Sequence, residues 1–251
     1  MEKRDFMDIQ NKVVIITGAS SGIGYATAKL LSEKGAKLAL VARSKEKLEQ
    51  LSRKLRGSVV VPADMTKPDE IKNMVKHTEA HFARIDALIN CAGQGYDAPV
   101  EKTDLGIFRH IFDLDVVGPL VAMQQVIPIM RRQGGGAIMN VSSGTALMYL
   151  PNNGAYSAMK RALANISLTA REELKNDGIF VSVVYPYITL TGFEKNTIRA
   201  PSLPQEEPQG KLPFQPDTAE YAAQKIIEGI EGEEPEIFAH DWMKKTANGN
   251  H

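Results

Sequence analysis

The segment Thr17-Gly18-Ala19-Ser20-Ser21-Gly22-Ile23-Gly24 leaves this chain few folds to choose from. It follows a β-branched run, Val13 to Ile16. It leads into Ile23, Ala26, Ala28, Leu30 and Leu31, which recur at helical spacing. Glycines permit a tight strand-to-helix turn and let a pyrophosphate approach the backbone. The helix N-terminus then offers unpaired N–H groups and the positive end of its dipole. The spacing is Gly-x3-Gly-x-Gly rather than the commoner Gly-x-Gly-x-x-Gly. Its place between a Val/Ile strand and an amphipathic helix makes it a dinucleotide-binding turn rather than a plain connection.

The rest of the chain repeats the same alternation. Short apolar runs occur at 38–42, 59–61, 87–89, 137–141 and 180–184, with a weaker one at 237–239. Consecutive apolar positions indicate strands buried on both faces, as in a parallel sheet. Between them lie helical patterns, such as Leu48, Leu51 and Leu55, or Ile71, Met74 and Val75. The expected fold is α/β: a single Rossmann-like doubly wound domain over 1–251, with a parallel sheet of about seven strands flanked by helices. Five of the 13 prolines, Pro201, Pro204, Pro208, Pro213 and Pro216, fall in one stretch. That stretch cannot build a sheet ladder, and 190–216 is expected to be a lid over a substrate cleft.

Composition removes several function classes. Lys plus Arg and Asp plus Glu are both 30, so net charge is zero and no broad attraction for nucleic acid exists. No apolar run approaches the roughly 20 residues that span a bilayer. Residues 1–10 lack the apolar stretch of a secretory signal, and one cysteine, Cys91, cannot form an internal disulfide. The expectation is a cytoplasmic protein with no nucleic-acid partner and no membrane span. His77 and His81 are four apart but have no third ligand in view, so no metal is expected.

The ends of the later strands supply candidate cofactor contacts. After the second, Ala42 stands where an acidic residue would bond a ribose 2′-OH. Arg43 follows and can grip a 2′-phosphate, with Ser44 as a further donor. This favours NADP(H). Asp64 and Met65 follow the third strand, where a carboxylate can accept from an adenine amino group. Asn90, Cys91, Ala92 and Gly93 follow the fourth, and their small side chains let the backbone lie along a cofactor. Cys91 has no group nearby in sequence that would activate it, and reads as filler.

Tyr156 and Lys160 are four apart on a helix and share a face. A phenol ionises near 10, and an adjacent ammonium lowers that value, so the pair can act as a general acid/base. Ser143 follows the fifth strand directly, at the carboxyl edge where ligands bind in such sheets, and can position a substrate oxygen. From the glycine turn through Asn90-Cys91-Ala92-Gly93 to Ser143 and Tyr156-x3-Lys160, about residues 10 to 240, the chain resembles the short-chain dehydrogenase/reductase family. The resemblance implies an NADP(H)-dependent oxidoreductase interconverting a small-molecule carbonyl and alcohol by hydride transfer. It implies that Tyr156 is the acid/base, that Ser143 positions the substrate oxygen, and that Lys160 binds the nicotinamide ribose and depresses the tyrosine pKa. It places Pro186 and Thr189 near the carboxamide region and Thr191 near the cofactor phosphates. A homodimer through helices around 105–132 and 155–176, or a homotetramer, is expected.

Two departures from the family pattern stand out. Where the family has Asn-x-x-Gly, this chain has Asp115-Val116-Val117-Gly118. In the family the Asn holds a water in a proton relay to the lysine. An ionised Asp115 can accept but not donate, and would offset the pull of Lys160 on Tyr156. Where the family has Pro-Gly, Tyr187 follows Pro186, and its ring is expected to narrow the nicotinamide or substrate pocket. These departures motivate an alternative function, a catalytically weak or inactive nucleotide-binding sensor or scaffold.

Overall fold

A computed structural model describes residues 7–203 and 215–247. Seven parallel strands form one sheet. They are β1 (Val13–Thr17), β2 (Lys37–Ala42), β3 (Ser58–Pro62), β4 (Ala87–Asn90), β5 (Gly136–Val141), β6 (Ile179–Tyr185) and β7 (Glu236–Phe238). Their spatial order is 3-2-1-4-5-6-7, with the topological switch between β1 and β4. The eight helices labelled here are α1 (Gly22–Glu33), α2 (Lys45–Ser52), α3 (Pro68–Phe82), α4 (Leu105–Phe112), α5 (Gly118–Gln133), α6 (Gly154–Leu174), α7 (Ala219–Glu231) and α8 (Asp241–Ala247).

The period-2 alternation of strands explains the two layers. Val14 and Ile16 of β1, with Leu38 and Leu40 of β2, face Leu31 of α1 and Ile226, Ile227 and Ile230 of α7. Ile15, Ala39 and Val41 face the other way, onto Ile71 and Met74 of α3 and Met123 and Val126 of α5. Every residue of β1 is buried. That is why these strands read as unbroken apolar runs: each side has a helical layer to fill. Burying one such side chain contributes about 1.5–3 kcal/mol.

Helices α4 and α5 are joined without a loop. Asp113–Val117 forms a π-helical turn between them. Such a turn inserts an extra residue and rotates the downstream helix about its axis. It opens onto Gly118, where an added Cβ would collide with the Met65 carbonyl oxygen, so the helix start lies directly against the loop after β3.

Of the expected lid, residues 204–214 lie outside the described residues. The rest is tied down at two places. Thr189–Leu190 pairs with Asp217–Thr218, and Ile198–Arg199 pairs with Tyr96–Asp97. Among the described residues no helix is long and apolar enough to cross a membrane.

Candidate active site

The glycine turn is built around the ends of β1 and β2. Gly18 and Gly22 have positive φ, +72° and +54°, which L side chains rarely adopt. A Cβ at Gly18 would meet the Ala92 backbone nitrogen at 2.9 Å, and one at Gly24 would meet the Gly18 carbonyl oxygen at 2.5 Å. The turn and the loop after β4 are therefore pressed together. Ala19 donates its N–H to the Val41 carbonyl at 3.1 Å, fixing the turn to the end of β2. Thr17 Oγ1 accepts from the Cys91 and Ala92 N–H groups at 3.0 and 3.1 Å and holds the β4 loop in place.

The mouth of α1 is open to an anion. Ser21 caps the helix by position, but its side chain makes no capping bond, and the first turn carries no acidic residue. Thr191 reaches the same spot, for a Cβ on Gly22 would meet its Cβ at 3.3 Å. The structure thus brings Gly18, Ser20, Ser21, Gly22, Ile23 and Gly24 together with Thr191. Arg43 is exposed beyond β2. Ser44 caps α2, accepting from the Lys47 N–H at 3.4 Å. Burial works to raise the Asp64 carboxyl. Its bonds from the Thr66 N–H and hydroxyl, then the Arg43 and Lys67 charges, hold it below the usual range instead. Met65 is buried beside it.

Beneath the carboxyl edge lies a chain of buried amides. Asn90 donates to Asn140 at 2.8 Å, and Asn140 donates to Ser167 Oγ at 2.7 Å. This ties β4, β5 and α6 into one rigid base. Ser142 Oγ donates to the Lys160 carbonyl at 2.9 Å, pinning α6 to the end of β5. Ser143 accepts from the Thr145 N–H and hydroxyl at 3.2 and 3.1 Å, which fixes its Oγ.

Tyr156 and Lys160 lie side by side as their spacing requires. The Lys160 ammonium is 5.7 Å from the centre of the Tyr156 ring. Ser143 lies beside the Tyr156 hydroxyl and acts to lower its pKa. Lys160 donates to the Val141 carbonyl at 3.2 Å and pairs with Asp115 Oδ2 at 3.1 Å, both side chains being almost fully buried. Asp115 Oδ1 accepts from the Gln94 N–H at 3.1 Å. The π-helical turn is what swings Asp115 inward, at 0% exposure. Gly93 lies over the pair: a Cβ there would be 3.1 Å from the Lys160 nitrogen and 3.3 Å from both Asp115 oxygens.

The net effect on Tyr156 differs from the expected depression. Burial pushes its phenol up to about 12. Lys160 pulls it down, but the Asp115 carboxylate opposes that pull, and the neighbouring Ser143 hydroxyl recovers only part. Burial also pushes the Asp115 carboxyl up, against Lys160, the Gln94 N–H and His110. Burial disfavours the Lys160 charge, yet Asp115, Tyr156 and Cys91 together hold the ammonium above its usual range. Burial pushes the Cys91 thiol up to about 11, in keeping with an unreactive side chain.

One aromatic residue sits differently from expectation. Tyr187 does not turn toward Tyr156. Its ring meets His240 and Trp242 edge-on and is buried against the C-terminal segment with Ala146, Ala239 and Met243. Its φ is not positive, so the position did not need the family's glycine. Pro186 is buried, and its carbonyl accepts from the Gly144 N–H at 2.8 Å. Thr189 donates to the Tyr187 carbonyl at 2.8 Å. The ring that does cover the site is Phe193, 5.8 Å from Tyr156 and tilted by 51°. Gln94, which sequence reasoning missed, ties this segment down through a 2.8 Å bond to the Asn196 carbonyl. No sequence pattern marks Gln94, because both its partners are distant along the chain.

A family model described as short chain dehydrogenase matches residues 12–201. An uncharacterized oxidoreductase of Staphylococcus epidermidis is 32% identical over 190 residues, 75% of this chain and 83% of that protein. One from Staphylococcus saprophyticus is 39% identical over 168 residues, 66% and 68% of the two chains. Among solved structures, a short-chain dehydrogenase from Streptomyces avermitilis superposes with a TM-score of 0.85 at 28% identity, covering 95% of this chain and 91% of that one. A short chain dehydrogenase/reductase from Burkholderia phymatum, solved in complex with NAD, also gives 0.85, at 24% identity over 96% and 93%, and shares the fold.

Proposed function

The chain belongs to the short-chain dehydrogenase/reductase family of oxidoreductases, and from that premise we propose that it interconverts a small carbonyl compound and its alcohol using NADP(H), with Tyr156 as general acid/base. The observation that carries this reading is the convergence of Ser143, Tyr156 and Lys160 beside the glycine turn, at the carboxyl edge of the sheet. The cradle fits a dinucleotide. Gly18 and Gly22 hold the positive φ that the tight turn needs, and Ser21 leaves the α1 N–H groups open to phosphate, with Thr191 alongside. Arg43, exposed and following Ala42, supports a preference for the 2′-phosphate. Asp64, Asn90, Ala92 and Gly93 line the path between the adenine and nicotinamide ends. When bound, the cofactor supplies or takes the hydride.

The protein's own groups manage the proton. Ser143 and Tyr156 both reach a substrate oxygen. In reduction the carbonyl carbon gains the hydride, its C–O π bond breaks, and the oxygen takes the Tyr156 hydroxyl proton. The resulting phenolate faces the Asp115–Lys160 pair until water reprotonates it. Phe193 over Tyr156 favours a substrate with an apolar body.

The buried Asp115–Lys160 pair and the covered Tyr156 favour a second reading, a nucleotide-binding sensor without turnover. Cofactor consumption over a panel of aliphatic and aromatic ketones separates the two. The proposal expects NADPH to be consumed faster than NADH, and Arg43→Ala to weaken NADPH about tenfold or more while sparing NADH. Tight NADPH binding with no consumption over the whole panel would establish the sensor instead.

A further inference from the structure

We propose that Asp115 is a positioning residue that neutralises Lys160 and so keeps Tyr156 in its proton-donating form, setting the site for carbonyl reduction over the ordinary pH range. The inference rests on the reading of Tyr156 as the acid/base. It starts from geometry. The Lys160 ammonium is held at two points, by a hydrogen bond to the Val141 carbonyl at 3.2 Å and by an ion pair with Asp115 Oδ2 at 3.1 Å. Asp115 is itself held by the Gln94 N–H and by the π-helical turn, and Gly93 closes over both charges. Neither partner can rotate away into water.

A buried cation beside a phenol would normally stabilise phenolate. Here the cation is half of a closed pair whose net charge is zero. A phenolate formed at Tyr156, 7% exposed beneath Phe193, would face that neutral pair and the Asp115 carboxylate behind it. The other groups around it do not supply a cation. Ser143 offers a neutral hydroxyl, and Cys91 keeps its proton to about 11. His110, on α4, acts on Asp115 from outside. The elevated Tyr156 value is in keeping with this arrangement.

The consequence is directional in pH rather than in equilibrium. Reduction starts from the phenol: the proton leaves Tyr156 Oη for the substrate oxygen as the carbon accepts the hydride. Oxidation is the reverse and must start from phenolate, which takes the alcohol proton as the hydride leaves carbon for the oxidised cofactor. A site holding phenol therefore reduces over a broad range and oxidises only in alkali.

The experiment is a spectroscopic titration of cofactor-free protein. Tyrosinate absorbance is followed from neutral pH upward, and the Tyr156→Phe trace is subtracted to remove the other six of seven tyrosines. Wild-type Tyr156 should ionise above pH 10. Asp115→Asn should lower its midpoint by about one unit or more. Asp115→Ser, which removes the charge with a smaller side chain, should do the same, with circular dichroism showing that each variant is folded. The alkaline limb of alcohol oxidation should move down in parallel. A wild-type Tyr156 that ionises below 10 overturns the proposal without any variant. So does an unchanged or raised midpoint in a folded variant. Failure of turnover with every carbonyl tried would count against the functional reading, not against this titration.

Discussion

Gly24→Ala isolates the contact on which the cofactor cradle depends. Gly24 has ordinary helical φ, so alanine brings no backbone strain. What it brings is a methyl group 2.5 Å from the Gly18 carbonyl oxygen, 2.8 Å from the Gly18 carbonyl carbon and 3.2 Å from the Ala19 nitrogen. All three are backbone atoms of the turn and cannot rotate aside. Restoring ordinary contact requires α1 and the turn to separate by several tenths of an ångström. Overpacking of that kind costs about 1–3 kcal/mol. Alanine's helix propensity returns up to about 1 kcal/mol, so the net loss should be about 1–2 kcal/mol. For a chain of this size that is a fall of roughly 2–8 °C in Tm. The same displacement moves the α1 N–H groups relative to the turn, and NADPH should bind about tenfold more weakly, roughly 1.4 kcal/mol. Thermal unfolding by circular dichroism and calorimetric titration read the two effects. Gly192→Ala is the control, for a Cβ there meets nothing within 4 Å, and its stability should stay within about 0.5 kcal/mol of wild type. A Gly24→Ala protein with wild-type Tm and wild-type NADPH affinity would refute the reasoning.

Phe193→Ala should uncover Tyr156. Burial is the largest influence on that phenol, so its titration midpoint should fall, and KM for apolar ketones should rise while NADPH affinity is unchanged. Asp86→Ala should cost about 2–4 kcal/mol in urea unfolding. Its buried carboxylate accepts from the Val13 N–H at 2.8 Å and from Arg84, and its loss strands a donor at the start of β1. Tyr156 also predicts a pH dependence of stability. Its folded value, about 12, lies above the unfolded value near 10, so its contribution is intact below pH 10 and lost as pH rises from 10 to about 12. Tyr156→Phe cannot ionise and should lose stability less steeply over that window.

The sheet was legible because each strand is apolar at consecutive positions, and only a two-sided sheet accounts for that. Val13–Thr17, Leu38–Ala42 and Ala137–Val141 show it most clearly. The pairing of Tyr156 with Lys160 followed from helical spacing alone. What the sequence did not disclose depends on contacts between distant segments. Asp115 was visible as a departure, but its burial against Lys160 comes from a π-helical turn that no residue pattern announces. The Tyr187 ring could not be aimed without the C-terminal segment, where His240 and Trp242 receive it. The upward displacement of Tyr156 comes from its burial and from the Asp115 carboxylate, and adjacency to a lysine pointed the other way.

The central claim is that Tyr156 transfers the substrate proton. Single-turnover oxidation of bound NADPH, with a ketone that the wild type reduces, tests it directly in Tyr156→Phe. The account predicts that the variant binds NADPH with wild-type affinity and oxidises it at least about a thousandfold more slowly, a loss of roughly 4 kcal/mol of transition-state stabilisation. Oxidation at a rate within tenfold of wild type would contradict it.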